Sequence, residues 1–265
     1  MKLCLLAAGF AKRMYPLTRD RAKPLLEVGD QPMLSRLLGQ ARATGAIDAS
    51  AVIFASRFAP EFESWNAGLQ QPVKLVANGA REDTQARGAV ADLAMLLESA
   101  FPSGAADGYL VLAGDNLLRF DLREAYERFA QRPGSPLLLA RRVPEPVPPG
   151  KYSELVLDQD TDRVVSFREK PQDPRSALSA IGVYFLPPTL PELLHDYLRA
   201  GNEVDAPGHF LAWLTTQIES FAWRVPDGAW FDVGSIEGLD KARALAAQGA
   251  QGEDAPRGFG DRPKP

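Results

Sequence analysis

Short apolar runs alternate with amphipathic segments through the first half of the chain. Residues 3–7, 51–55, 73–77 and 109–113 are near-continuous apolar runs of strand length, the pattern of strands buried on both faces. Between or after them, 32–43, 60–69, 87–100 and 122–131 carry helical spacing. This alternation predicts an α/β fold, a Rossmann-like and mainly parallel sheet with helices on both faces. Ligands of such sheets bind at the carboxyl ends of the strands. The second half changes character. Residues 136–143, 152–157, 164–169 and 181–186 are strand-like, with a proline-rich break at 144–150. Helices follow at 188–200 and 207–217, then a strand at 220–225. We read residues 1–248 as one domain, its second half (136–248) extending the sheet of its first (1–135). Residues 249–265 hold almost no apolar side chains, which predicts a disordered tail.

Composition narrows the class. The chain has 265 residues, enough for a substantial core. A net charge of −4 speaks against a nucleic-acid partner, so local lysines and arginines must do any phosphate work. Cys4 is the one cysteine and falls in the first apolar run, so no intrachain disulfide or cysteine metal cluster is expected. Burial is its expected fate. No apolar run approaches membrane-spanning length, and a cytoplasmic location is expected.

The densest chemistry lies near the start. The first run continues as Leu6-Ala7-Ala8-Gly9-Phe10-Ala11-Lys12-Arg13-Met14, followed by Pro16-Leu17-Thr18 and Lys23-Pro24-Leu25-Leu26. Small residues let backbone amides approach a bound group, and Arg13 and Lys23 add fixed positive charge suited to phosphate. A dinucleotide fingerprint is disfavoured, because Gly9 stands alone and Ala11 occupies the second glycine's place. A secretory leader is disfavoured too. Lys2 precedes the apolar run, but the run ends at once in Lys12-Arg13 without a clean cleavage site.

Three further patterns stand at strand ends. Asp115, in Leu112-Ala113-Gly114-Asp115-Asn116, and Asp232, in Trp230-Phe231-Asp232-Val233-Gly234, each follow an apolar stretch. Either carboxylate can serve a hard cation, a turn or a helix cap. Glu169 and Lys170, in Phe167-Arg168-Glu169-Lys170-Pro171, read as a solvated pair unless the chain kinks, since neighbouring strand residues face opposite ways. Gly182 marks either a bulge or a close approach to a ligand.

Taken in order, these motifs resemble the sugar-1-phosphate nucleotidylyltransferases, or nucleotide-sugar pyrophosphorylases, and in particular the glucose-1-phosphate thymidylyl- and uridylyltransferases. The resemblance spans Leu6 to Gly234. It implies the nucleotide-diphospho-sugar transferase fold, with a nucleotide-binding first half and a sugar-binding second half. It assigns catalysis to Arg13 and Lys23, nucleotide contacts to Ala7, Ala8, Gly9, Gln85 and Gly88, and sugar-phosphate contacts to Glu169, Lys170 and Gly182. Asp115 and Asp232 would share one Mg²⁺. Ala8 and Ala11 depart from the family, many of whose members carry glycine there. So does the segment 78–88, which lacks the usual thymidylyltransferase wording.

The implied chemistry suits the residues. A sugar 1-phosphate is largely dianionic at neutral pH, its second pKa being about 6. It can attack the α-phosphorus of a nucleoside triphosphate without a general base. The two histidines, His195 and His209, are not needed for that step. UTP or dTTP is the expected donor, with Gln85 offering a donor and an acceptor to the N3–H and O4 edge, or else facing water. Rival readings are a cytidylyltransferase acting on a non-sugar phosphate such as phosphocholine, and an inactive regulatory homologue. Assembly with further copies of the chain is left open.

Overall fold

The computed structural model describes residues 1–249, so the expected tail lies outside the described residues except for Gly249. The strands are β1 (Lys2–Ala7), β2 (Glu27–Val28), β3 (Gln31–Pro32), β4 (Ala49–Phe54), β5 (Lys74–Ala77), β6 (Tyr109–Ala113) and β7 (Asn116–Leu118) in the first half. In the second half they are β8 (Leu137–Arg142), β9 (Glu154–Leu157), β10 (Val164–Arg168), β11 (Leu178–Leu186), β12 (Phe221–Arg224) and β13 (Trp230–Asp232). Helices α1 (Met33–Ala43), α2 (Ala59–Ala67), α3 (Ala89–Ala100) and α4 (Leu122–Ala130) fall among the early strands. Helices α5 (Leu190–Arg199), α6 (Pro207–Gln217) and α7 (Ile236–Gly249) fall among or after the late ones.

One seven-stranded sheet runs in the order β12-β8-β11-β6-β1-β4-β5. The pairs β6–β1, β1–β4 and β4–β5 are parallel, as the early strand–helix alternation predicts. β11 enters antiparallel to both β6 and β8, and β12 returns parallel to β8, so the sheet is mixed. β9 and β10 are not part of it; they form their own antiparallel pair.

The two-residue period of β1 explains why helices cover both faces. Leu3, Leu5 and Ala7 join a core with Leu34 and Leu37 of α1, Phe62 of α2 and Phe129 of α4. Cys4 points the other way, into a core with Leu93 and Leu96 of α3, Leu194 of α5 and Phe210 of α6. Its thiol pKa is pushed up by burial alone, which makes Cys4 an inert packing residue. A third, smaller cluster joins Met14, Val28, Leu117, Val233 and Leu239 under α7. That cluster anchors the two-stranded ladder β7–β13, which the apolar pattern did not disclose. Among the described residues no helix is long and apolar enough to cross a membrane.

Candidate active site

The carboxyl ends of β1 and β6 open onto one cavity of about 400 Å³. Ala7, Ala8, Gly9, Arg13, Lys23, Gly88 and Asp115 all line it. The first loop is held from both sides. Phe10 is buried against Phe58, with ring centroids 5.9 Å apart, and the Thr18 hydroxyl donates to the Ala11 carbonyl at 2.8 Å. Ala11 itself takes a left-handed conformation, φ +47°. Glycine adopts that region at no steric cost, which accounts for the family's preference at this point. The turn hands over to a short 3-10 helix, Lys12–Met14, that carries Arg13 to the cavity.

Lys23 begins a second 3-10 turn, Lys23–Leu25, stiffened by Pro24. The amide before it, on Ala22, donates to the Glu61 carboxylate at 3.1 Å, fixing the turn to α2. The Lys23 side chain is only 11% exposed, and its ammonium lies 2.7 Å from Asp115 Oδ2. Asp115 stands two residues past the end of β6, and Asp232 ends β13, where it pairs in register with Asn116. The Val233 amide donates to the Asp115 carbonyl at 3.2 Å, so the two backbones are stitched together at the carboxylates.

Electrostatics report the same convergence. The Asp232 carboxyl pKa is raised, first by loss of water and then by the charge of Asp115. Lys23, Arg13 and Arg141 oppose that rise. Two carboxylates near enough to repel, ringed by cations, are a donor set of hard oxygens that a divalent cation would relieve. The residues therefore fit Mg²⁺.

Sequence reasoning missed Arg141, because it sits near the end of β8 with no motif around it. Its guanidinium lies 4.6 Å from the Trp230 ring centroid and 5.4 Å from that of Tyr152. It also missed the role of Asn116, which is buried. The Asn116 amide donates to the carbonyls of Ala113 (2.9 Å) and Gly182 (3.2 Å) and accepts from the Trp230 indole at 2.7 Å. Asn116 thereby locks Gly182 of β11 and the β13 strand to the Asp115 turn.

The kink that Glu169 and Lys170 require is present. β10 ends at Arg168, and Lys170 adopts φ +44° immediately before Pro171. Glu169 is 10% exposed and Lys170 52%, with their charged groups 3.4 Å apart. Behind the kink, Arg168 joins the buried Glu154 to Asp173. Burial alone would push the Glu154 carboxyl up. The Arg175 amide, the Arg168 guanidinium and the Ser176 amide outweigh it and hold Glu154 below the usual carboxylate range. The buried Tyr184 phenol is pushed up by burial and by the charges of Glu169 and Asp115, which places it among both groups.

Gln85 and Gly88 are placed differently from expectation. Gln85 is exposed and does not line the cavity; its side-chain oxygen accepts from the amides of Arg81 (2.8 Å) and Glu82 (3.3 Å), closing a capping box. Its acceptor is spent on the local turn. Gly88 does line the cavity, but the space beside its Cα is taken by chain and not left for a base. A Cβ there would overlap the Val204 carbonyl and fall 2.9 Å from the Asp205 Cα. With φ +88° as well, Gly88→Ala is expected to cost at least about 2 kcal/mol. Urea denaturation measures this, and an unchanged midpoint would mean the 201–206 segment moves aside freely. Asp92 and Asp205, neither anticipated, complete that end of the cavity.

A family model described as nucleotidyl transferase matches residues 2–249. The chain belongs to that family. Mannose-1-phosphate guanylyltransferase 1 of Arabidopsis thaliana is 27% identical over 195 residues, covering 72% of this chain and 51% of the relative. The glucose-1-phosphate thymidylyltransferase of Streptomyces griseus is 26% identical over 261 residues, covering 94% of this chain and 66% of the relative. The chain thus spans about half to two thirds of these relatives' length. Among solved structures, a Bacillus anthracis protein provisionally assigned as a glucose-1-phosphate thymidylyltransferase superposes with a TM-score of 0.76. That match has 22% identity and covers 93% of this chain and 95% of that one, so it establishes the shared fold.

Proposed function

We propose that the protein transfers a nucleotidyl group from a nucleoside triphosphate to a sugar 1-phosphate. A phosphate oxygen of the sugar bonds to the α-phosphorus, the bond from that phosphorus to the β-phosphate bridge breaks, and pyrophosphate leaves. The observation carrying this reading is the convergence of Arg13 and Lys23 with Asp115 and Asp232 at the strand ends. The barrier is mutual repulsion of anions, so positioned cations supply what the step needs.

Arg13 holds the outer phosphates and Lys23 the charge at the reacting phosphorus. Glu169 accepts from sugar hydroxyls, and Lys170 holds the sugar phosphate in line. Asp115 and Asp232 would hold Mg²⁺, which when bound supplies positive charge against the phosphate oxygens. With its one cysteine buried as a thiol, the chain suits the reducing cytoplasm, where we place it. A pyrophosphate-release assay with and without Mg²⁺, across glucose 1-phosphate, mannose 1-phosphate and phosphocholine, tests the reading. Turnover of phosphocholine alone would overturn it.

For the base, Asp92 takes over the role expected of Gln85. It is 6% exposed, and its Oδ1 accepts from the Asn78 amide at 3.0 Å, leaving its second oxygen for a ligand. A carboxylate acceptor there favours a base presenting an imino N–H, as uracil and thymine do and cytosine and adenine do not. UTP or dTTP is therefore expected to be used faster than CTP or ATP; guanine also presents an N1–H, so this contact does not discriminate against GTP. Asp92→Asn should erode the preference over CTP by roughly tenfold, the scale of one hydrogen bond to a charged group. Fastest turnover with CTP or ATP in the wild type would reject this assignment.

A further inference from the structure

The α6 helix starts without a side-chain cap from Ala206, and Pro207 at its first turn has no amide to offer. Gly208, the next residue, is buried. A Cβ at Gly208 would overlap Glu169 Oε2 outright and stand 3.1 Å from Glu169 Cγ. The other carboxylate oxygen, Oε1, faces the Lys170 ammonium at 3.4 Å. The carboxylate is thus clamped between a cation and a bare helix turn whose partial positive charge favours it. The backbone at Gly208 is not in the left-handed region that favours glycine, and alanine is the better helix former. Backbone conformation therefore does not require a glycine here. Space for Glu169 does.

We propose that Gly208 is a positioning residue for sugar recognition: its missing side chain is the seat that holds the Glu169 carboxylate in place for the sugar hydroxyls. This rests on the sugar 1-phosphate reading above. Any side chain at 208 drives the carboxylate off its seat, while the nucleotide end of the site is untouched. Cutting residue 169 back to alanine removes Cγ, Cδ and both carboxylate oxygens, and with them the conflict.

The test is a double-mutant cycle read with whichever of glucose 1-phosphate and mannose 1-phosphate the wild type uses. G208A should raise the sugar-phosphate KM by roughly tenfold or more, with the triphosphate KM within about twofold of wild type and Tm no lower. E169A alone should also raise the sugar-phosphate KM. In the E169A background G208A should add almost nothing, because the atoms it would meet are gone. Additive effects, or a G208A variant with wild-type sugar KM, would overturn the proposal while leaving the transferase reading intact. If E169A leaves the sugar KM unchanged, Glu169 is outside the sugar pocket and the seat has no such role. Should G208A fail to unfold cooperatively, G208A/E169A decides: a restored transition supports the seat, and none overturns it.

Discussion

Replacing Asp115 or Asp232 by asparagine is expected to lower turnover by about 100-fold or more, the scale of removing about 3 kcal/mol of transition-state stabilisation. Both variants should remain folded. Asp232 carries an additional signature in stability. Its carboxyl pKa is raised in the folded protein, so between the ordinary carboxylate pKa and that raised value the folded state holds more protons than the unfolded one. Stability conferred by the protonated group is present at low pH and is lost as pH rises through the raised value. At neutral pH the ionised Asp232 is thus a cost to the metal-free fold, and Asp232→Asn should melt no lower than wild type. Added Mg²⁺ should raise the Tm of the wild type and leave that of the variant unmoved. Thermal melts with and without MgCl₂ check both arms; a Mg²⁺ shift retained by Asp232→Asn would remove this residue from the cation site.

The two lysines should separate kinetically. Lys23 is nearly enclosed and touches Asp115, where the proposed function places the reacting phosphate. Lys23→Ala should depress kcat by roughly 100-fold, because the interaction matters most in the transition state. Lys170 is half exposed on the kinked turn, and its proposed contact already exists with the bound sugar phosphate. Lys170→Ala should raise the sugar-phosphate KM by roughly tenfold with a smaller change in kcat. Steady-state kinetics varying one substrate at a time distinguish the two. If both variants only raised the KM for the triphosphate, these assignments would fall.

What the sequence disclosed follows from the range of its signals. Strands such as β1 and β6 announce themselves as short apolar runs, and helices such as α4 and α5 through local apolar period. The first loop and the Lys170 kink are legible because small residues and a proline restrict the backbone locally. β11 reads as a strand, but nothing local states that it runs antiparallel between β6 and β8. The same limit hid β9 and β10 as a separate pair, and β7 and β13 as a ladder of three residues each. Gln85 is drawn into its own turn, because a capping box from Glu82 to Gln85 competes for the same side chain. Arg141, Asn116 and Gly208 matter through neighbours distant in sequence, and no spacing along the chain records such contacts.

The β7–β13 ladder also bears on how the chain acquires its site. Asn116 and Trp230 are bonded across 114 positions of sequence. The carboxylate pair cannot assemble until a loop of that length has closed, and loop-closure entropy makes such contacts slow to form. Cation uptake should therefore lag behind burial of the β1–β4–β6 core during refolding. A fragment ending before Trp230 would keep Arg13, Lys23 and Asp115 but lack the partner carboxylate. With the proposed cation site, affinity for a divalent ion would measure how completely this chain has folded.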